Sequence, residues 1–453
     1  MNHDVVTDMG RNGNASSNLR DRLTQRTENN PDFWSFAELR SRSGSHALFQ
    51  YPAMMVPELQ GALLDDLLAV RPDAELVYDP FAGSGTVMLE SLYRGLDFHG
   101  SDINPLAVLL CQVKAEPPTP EDALSGVTET LRRANHFPQA SVPDFPNIDK
   151  WFKPEIKAGL AVLRSAISKV SDLKLRRFLW VCLAETVRLV SNSRISTFKL
   201  HVYKQEEIDR RETDAIKMFG IVAKQNVEHL NLHWRRMSSL DLSKPSPAAL
   251  LLPGSVSDPW IAPRQADILM TSPPYGDNQT TVPYGQHSYL PLQWIAHKDI
   301  PGIFDETLLD STHRIDHLSL GGSLKYADQA RKDLAEVSPT LEKYVAGFDE
   351  FPTLRRKVLS FVRDYRAALT GIRPRLNDGA FCFFTLGERR VGKRTFPLVE
   401  ITRELLIADG HEDIMTIERV LPGSRKRMAA RNSEGATMAQ EWILVTRSWR
   451  TQN

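Results

Sequence analysis

The chain has 453 residues, 42% hydrophobic and 25% charged, enough apolar material for one large core and an accessory domain. Its 56 basic and 56 acidic side chains cancel, so any attraction to phosphate must be local. Three scattered cysteines, Cys111, Cys182 and Cys382, exclude a disulfide framework and a paired-cysteine zinc site, and no secretory leader or long apolar run is present; the expectation is a cytoplasmic chain with neither membrane nor metal.

Residues 1–30, rich in Asn, Asp, Arg, Ser and Thr without an apolar period, are expected to form a flexible arm. The first part of the main domain, 31–115, opens with a loop and continues after Pro57 with apolar residues at helical spacing. A strand over 76–78 ends at Asp79; the turn FAGSG follows, then a helix from Thr86 to about Tyr93 and a second strand over 98–101 ending at Asp102. Such a βαβ opening predicts a doubly wound, mostly parallel α/β sheet.

Residues 116–246 lack strand signals. In AGLAVLRSAISKV and LRRFLWVCLAETVRLV the apolar residues recur at i, i+3 and i+4, which predicts a helical insertion. The sheet resumes over 247–275, with strands at 249–252 and 268–271, and again over 352–453, with strands at 380–386 and 442–445. Between them, 276–351 is polar, dotted with aromatics and weakly periodic, too long for a plain loop, and is expected to be a lid or target-recognition segment. There Asn278, Gln279, Tyr284, Gln286 and His287 could touch base edges.

Two motifs carry chemistry. In Asp79-Pro80-Phe81-Ala82-Gly83-Ser84-Gly85-Thr86 two glycines let the backbone turn tightly and approach a ligand between strand and helix. Asp102, 17 residues after Gly85, stands where a nucleotide-binding βαβ unit places the acid that holds ribose hydroxyls. A third glycine is replaced by Met88, which argues against a dinucleotide. The second motif, Ser272-Pro273-Pro274-Tyr275, leaves the carboxyl end of a buried strand, the edge at which open α/β sheets bind ligands.

DPFAGSGT and the following SDINPLA, residues 101–107, resemble the first two motifs of the amino-methylating DNA methyltransferases, and SPPY resembles the catalytic motif of their N4-cytosine branch. The resemblance implies a Rossmann-like fold and S-adenosyl-L-methionine as cofactor. Asp79, Phe81, Gly83, Ser84, Gly85 and Thr86 would surround its methionine part, Tyr51 would close over that end, and Asp102 with Asn104 would hold the ribose. Gly254 and Ser255 would touch the adenine, with Asp258 replacing an expected acid.

The chemistry of SPPY follows from the substrate. An exocyclic amine is a poor nucleophile while its lone pair is delocalised. Ser272 and the Pro273 carbonyl, accepting its hydrogens, favour the pyramidal form that attacks. The prolines, Pro273 and Pro274, supply no competing N–H, and Tyr275 offers a face for a base extruded from the duplex. No Pro-Cys dipeptide occurs, which excludes carbon-5 cytosine chemistry.

Two basic stretches, Arg389, Arg390, Lys393 and Arg394, and Arg425, Lys426 and Arg427, would alone read as solvated faces. The resemblance turns them into phosphate contacts on double-stranded DNA, in a restriction–modification or defence setting with a cognate endonuclease as partner. N6-adenine methylation, amino methylation of RNA and a non-catalytic nucleic-acid-binding subunit are the competing readings.

Overall fold

The computed structural model describes residues 3–39, 41–136, 139–240, 246–256, 258, 263–276, 282–421 and 440–449, with side chains from residue 14 onward. Nine strands are found among them: β1 (Leu76–Asp79), β2 (Asp97–Asp102), β3 (Ala249–Pro253), β4 (Ala266–Thr271), β5 (Leu376–Leu386), β6 (Arg390–Val391), β7 (Arg394–Thr395), β8 (His411–Val420) and β9 (Gln440–Ser448). Seven form one sheet in the order β3-β2-β1-β4-β5-β9-β8. All run parallel except β9, which is antiparallel to both β5 and β8. This is the doubly wound, Rossmann-like α/β fold expected from the sequence. The strand order reverses between β1 and β4, so their carboxyl ends open a crevice at the switch point.

Side chains alternate between two buried faces. Val77, Ile268, Met270, Phe381, Phe383, Ile443 and Val445 point to one side, beneath helices α1 (His3–Asn29), α2 (Pro57–Val70) and α3 (Thr86–Leu92). Tyr78, Leu269, Cys382, Phe384 and Leu444 point to the other. Burial on both faces explains why these strands read as short unbroken apolar runs. Helix α4 (Pro105–Ala115), opened by Pro105 and by Asn104 accepting from Leu106 N, joins the sheet to the insertion. The insertion contains α5 (Pro120–His136), α6 (Ile148–Trp151), α7 (Pro154–Ser168), α8 (Leu173–Val190), α9 (Gln205–Arg210) and α10 (Ala215–Met237).

Residues 276–351, expected as a lid or target-recognition segment, carry helices that their weak periodicity did not show. Among those described lie α11 (Tyr284–Trp294), α12 (Arg314–Leu318), α13 (Arg331–Val337) and α14 (Pro339–Ala346). Leu290, Leu292 and Trp294 bury in the insertion's core, while Leu334, Leu341 and Val345 bury against the sheet with α15 (Pro352–Ile372) and α16 (Leu398–Ala408). These helices are short and broken by Pro, Gly and Ser, so no stretch is long enough to display a period. Strand β8 was not foreseen: it is an edge strand whose charged Glu412, Asp413, Glu418 and Arg419 mask the apolar signal.

The amino-terminal segment, expected as a flexible arm, is instead helix α1. Ala15, Leu19 and Leu23 recur every fourth residue and are buried, and Arg22 and Arg26 pair with Asp66 of α2, itself 1% exposed. Leu23→Ala should lower the unfolding free energy in urea by about 2–4 kcal/mol; an unchanged midpoint would restore the arm.

Candidate active site

Asp79 closes β1 and is fully buried. Its Oδ1 accepts from Thr271 Oγ1 at 2.6 Å and from Phe81 N at 3.0 Å, tying the first motif to the end of β4. Its Oδ2 is buried without a hydrogen-bond partner among the described residues. Burial, with the nearby Asp102 charge adding to it, pushes the carboxyl up to about 7.

Gly83 and Gly85 take φ of 51° and 73°, left-handed values that a side chain would resist. A Cβ on Gly85 would also fall 2.8 Å from Cys111 Sγ. Gly83 N donates to Asp102 Oδ2 and Asn104 N to Oδ1, both at 2.8 Å. Burial lifts Asp102 to about 6. Asp79 is fully buried and Asp102 half-buried; among the described residues their hydrogen-bond partners are a hydroxyl and backbone N–H groups rather than cations, a donor set that fits a cationic ligand such as a sulfonium bearing an ammonium group. Beneath the turn, Cys111 Sγ lies 3.4 Å from the Gly83 carbonyl and the buried Lys114 ammonium donates to the Ser84 carbonyl. Desolvation lowers Lys114 to about 8.

Tyr51 lies over this turn, its ring edge 3.8 Å from the position a Cβ on Gly83 would occupy. Asn104 Nδ2 donates to Tyr51 Oη at 2.9 Å and to Ser288 Oγ at 2.7 Å, and the Tyr284 ring stacks on Tyr51 with centroids 5.8 Å apart. Tyr284 thus packs on Tyr51 above the glycine turn. His287 is buried, its Nε2 bonded to the Gln50 carbonyl at 3.0 Å, and desolvation drives it down to about 3. Gln286 Oε1 accepts from Leu200 N. Asn278 and Gln279 lie outside the described residues.

Phe81 and Thr86 flank the same turn, Thr86 as the first residue of α3. Gly254 follows β3 and donates its N–H to the Asp102 carbonyl at 2.9 Å, which brings Gly254 and Ser255 beside the second motif. Asp258 is committed locally: its Oδ2 accepts from Ser255 N at 2.6 Å.

Ser272, Pro273, Pro274 and Tyr275 leave β4 next to Asp79. Ser272 Oγ lies 3.1 Å from Tyr275 Oη, which in turn donates to Glu441 Oε1 at 3.3 Å. Burial, reinforced by the Glu441 charge, holds the Tyr275 phenol well above its ordinary value. Arg419 completes the chain through Glu441 Oε2, with Nη2 at 2.5 Å and Nε at 3.1 Å. Sequence reasoning gave Glu441, Arg419, Lys114 and Ser288 no role beside these motifs, because the contacts that bring Glu441 and Ser288 there join residues far apart in the chain.

Of the basic residues, Arg389 covers the loop after Tyr275: a Cβ on Gly276 would fall 2.1 Å from its Nε. Arg390 and Lys393 are exposed on the β6–β7 hairpin, whose turn uses positive φ at Gly392 and Lys393. Arg394 is engaged in packing, its guanidinium over Tyr344 and Phe348 at 5.1 and 5.0 Å. Arg425, Lys426 and Arg427 lie outside the described residues. Among the described residues no group of three or more His, Cys, Asp or Glu could hold a metal ion, and no helix is long and apolar enough to cross a membrane.

No protein-family profile matches the chain. Over 456 aligned residues, 95% of this chain and 97% of the other, it is 28% identical to a protein named Type II methyltransferase M.MvaI from Kocuria varians. That likeness supports a methyltransferase. Two solved structures of the rRNA methyltransferase aviRa from Streptomyces viridochromogenes overlay with TM-scores of 0.28 and 0.29 at 11% and 10% identity, covering 91% and 88% of this chain and 89% and 88% of theirs. Overlays so loose carry no argument about this chain.

The raised Asp79 pKa has a signed consequence. Ionising this carboxyl costs the ligand-free fold stability; the cost is absent below about pH 4 and complete above about pH 7, reaching roughly 4 kcal/mol at most. Asp79→Asn should therefore melt above the wild type at pH 8, with the gap closing toward pH 4, while losing affinity for S-adenosylmethionine in calorimetry. A gap that does not change with pH would rule out the assigned burial cost.

Proposed function

We propose that this chain transfers a methyl group from S-adenosyl-L-methionine to the exocyclic amino nitrogen of a base flipped from duplex DNA, with N4 of cytosine as the target atom. The observation that carries the reading is the convergence of two motifs at the sheet's switch point, where Thr271 joins Asp79 immediately before Ser272. Serine as the first residue of the tetrad favours cytosine. The similarity to a Type II methyltransferase supports DNA as the partner, and a restriction–modification or defence setting with a cognate endonuclease belongs to the same proposal.

In this reading Asp79 takes the cofactor's ammonium at its unpartnered Oδ2, Tyr51, Phe81 and the 83–86 backbone surround the methionine part, Asp102 and Asn104 hold the ribose, and Gly254 and Ser255 border the adenine. The bound cofactor supplies a methyl group on a positively charged sulfur. Ser272 Oγ and the Pro273 carbonyl accept the amino hydrogens and favour pyramidal nitrogen. The methyl group would pass to the amino nitrogen so held, and the surplus amino proton would leave to solvent. Tyr275 provides the face on which the extruded base rests.

Incubation with labelled S-adenosylmethionine and unmethylated duplex DNA or bulk RNA, followed by nucleoside digestion and mass spectrometry, tests this directly. N4-methylcytosine from DNA is expected. N6-methyladenine would overturn the base, label confined to RNA the substrate class, and no label the enzymatic reading. A second expectation concerns Arg390 and Lys393, proposed with Arg389 as phosphate contacts. Arg390→Ala with Lys393→Ala should weaken binding uniformly across sequences and lower the slope of log affinity against log salt by about two. An unchanged slope would remove the hairpin from the interface.

A further inference from the structure

We infer that Glu441, acting through the Tyr275 hydroxyl, fixes the Ser272 hydroxyl as a hydrogen-bond acceptor toward the target amino group. This rests on the function proposed above and adds to it a positioning residue from the last strand of the sheet.

A serine hydroxyl both donates and accepts. If its proton faced an incoming amine it would compete for the nitrogen lone pair that has to attack. Something must therefore draw the proton away from the substrate. In this chain that partner is Tyr275 Oη, 3.1 Å from Ser272 Oγ. The Tyr275 hydroxyl is itself ambivalent and could donate to Ser272 instead, pushing the Ser272 proton outward.

Glu441 breaks the tie. At neutral pH a carboxylate only accepts, so with its Oε1 3.3 Å from Tyr275 Oη the phenol proton is committed to Glu441. The lone pair on Tyr275 Oη then receives the Ser272 proton, and Ser272 presents its own lone pairs to the substrate. The carboxylate is held for this task. Arg419, directly opposite Glu441 in the β8–β9 register, binds Oε2 through two nitrogens and leaves Oε1 for Tyr275. Arg419 is 4% exposed and donates its remaining nitrogen to the Trp34 carbonyl at 3.2 Å. Proton direction therefore passes along one line, from Ser272 through Tyr275 to Glu441, anchored by Arg419.

Two near-isosteric variants test this. Tyr275→Phe keeps the ring for base stacking and removes the relay. Glu441→Gln keeps the shape but lets an amide N–H face Tyr275 Oη, reversing the line. Each should lower kcat about tenfold, the effect of misdirecting one hydrogen bond, with KM for cofactor and for DNA within about twofold of wild type and cofactor affinity unchanged in calorimetry. In the double variant the losses should not multiply, because both act on the same proton. Wild-type kcat in Tyr275→Phe, multiplied losses in the double variant, or a loss confined to KM would each overturn the inference. Should Glu441→Gln fail to fold without its match to Arg419, Tyr275→Phe alone decides. A wild-type protein that methylates no amino group would instead remove the proposed function, and this inference with it.

Discussion

Two carboxylates at neighbouring strand ends, one fully buried and one half-buried, with no cation bonded to either among the described residues, are the constraint on which the site turns. A parallel sheet brings the carboxyl ends of β1, β2 and β4 together, and each end delivers a residue: Asp79, Asp102 and Thr271. The fold meets the acids with donors it can supply locally, a threonine hydroxyl and the N–H groups of Phe81, Gly83 and Asn104. What remains unmet is charge. Such a pocket is costly when empty and selective when filled, because the ligand that relieves it must be positive.

The surrounding helices hold that pocket in shape. Tyr51, Asn104 and the α11 residues Tyr284 and Ser288 come from three places in the chain and meet over the glycine turn because α4 and α11 pack into the same core as the insertion. The insertion is also tied to α3 from below. Buried Glu90 accepts from His46 and Arg94 and faces Arg236 of α10, so the helix that starts at the glycine turn is clamped at its opposite end. An ion network of this kind adds little net stability, but it fixes how the helices meet.

How much of this was legible follows from what kind of contact each feature needs. The glycine turn and the SPPY tetrad are consecutive residues whose backbone conformations are set locally, by glycines with positive φ and by prolines without N–H, and both could be read directly. The buried strands were visible as apolar runs; β8 was hidden because an exposed edge carries charge. Helix α1 was hidden because three small or apolar residues in a polar stretch are enough once α2 supplies Asp66. Tyr275 and Glu441 are 166 residues apart, and Asn104 and Ser288 184. No local rule links such pairs, since only closure of the sheet and packing of the insertion bring them within bonding distance. His287, one of the residues singled out for reading bases, is instead a packing group because α11 turns it inward against the Gln50 carbonyl.

The antiparallel course of β9 has a temporal meaning. The glycine turn and its two acids precede Glu441 in synthesis, and Glu441 can slot between β5 and β8 only after both exist. A nascent chain thus carries both acids well before it acquires the residue that closes the line from Ser272 through Tyr275. On the function proposed, binding and modifying would be acquired in that order.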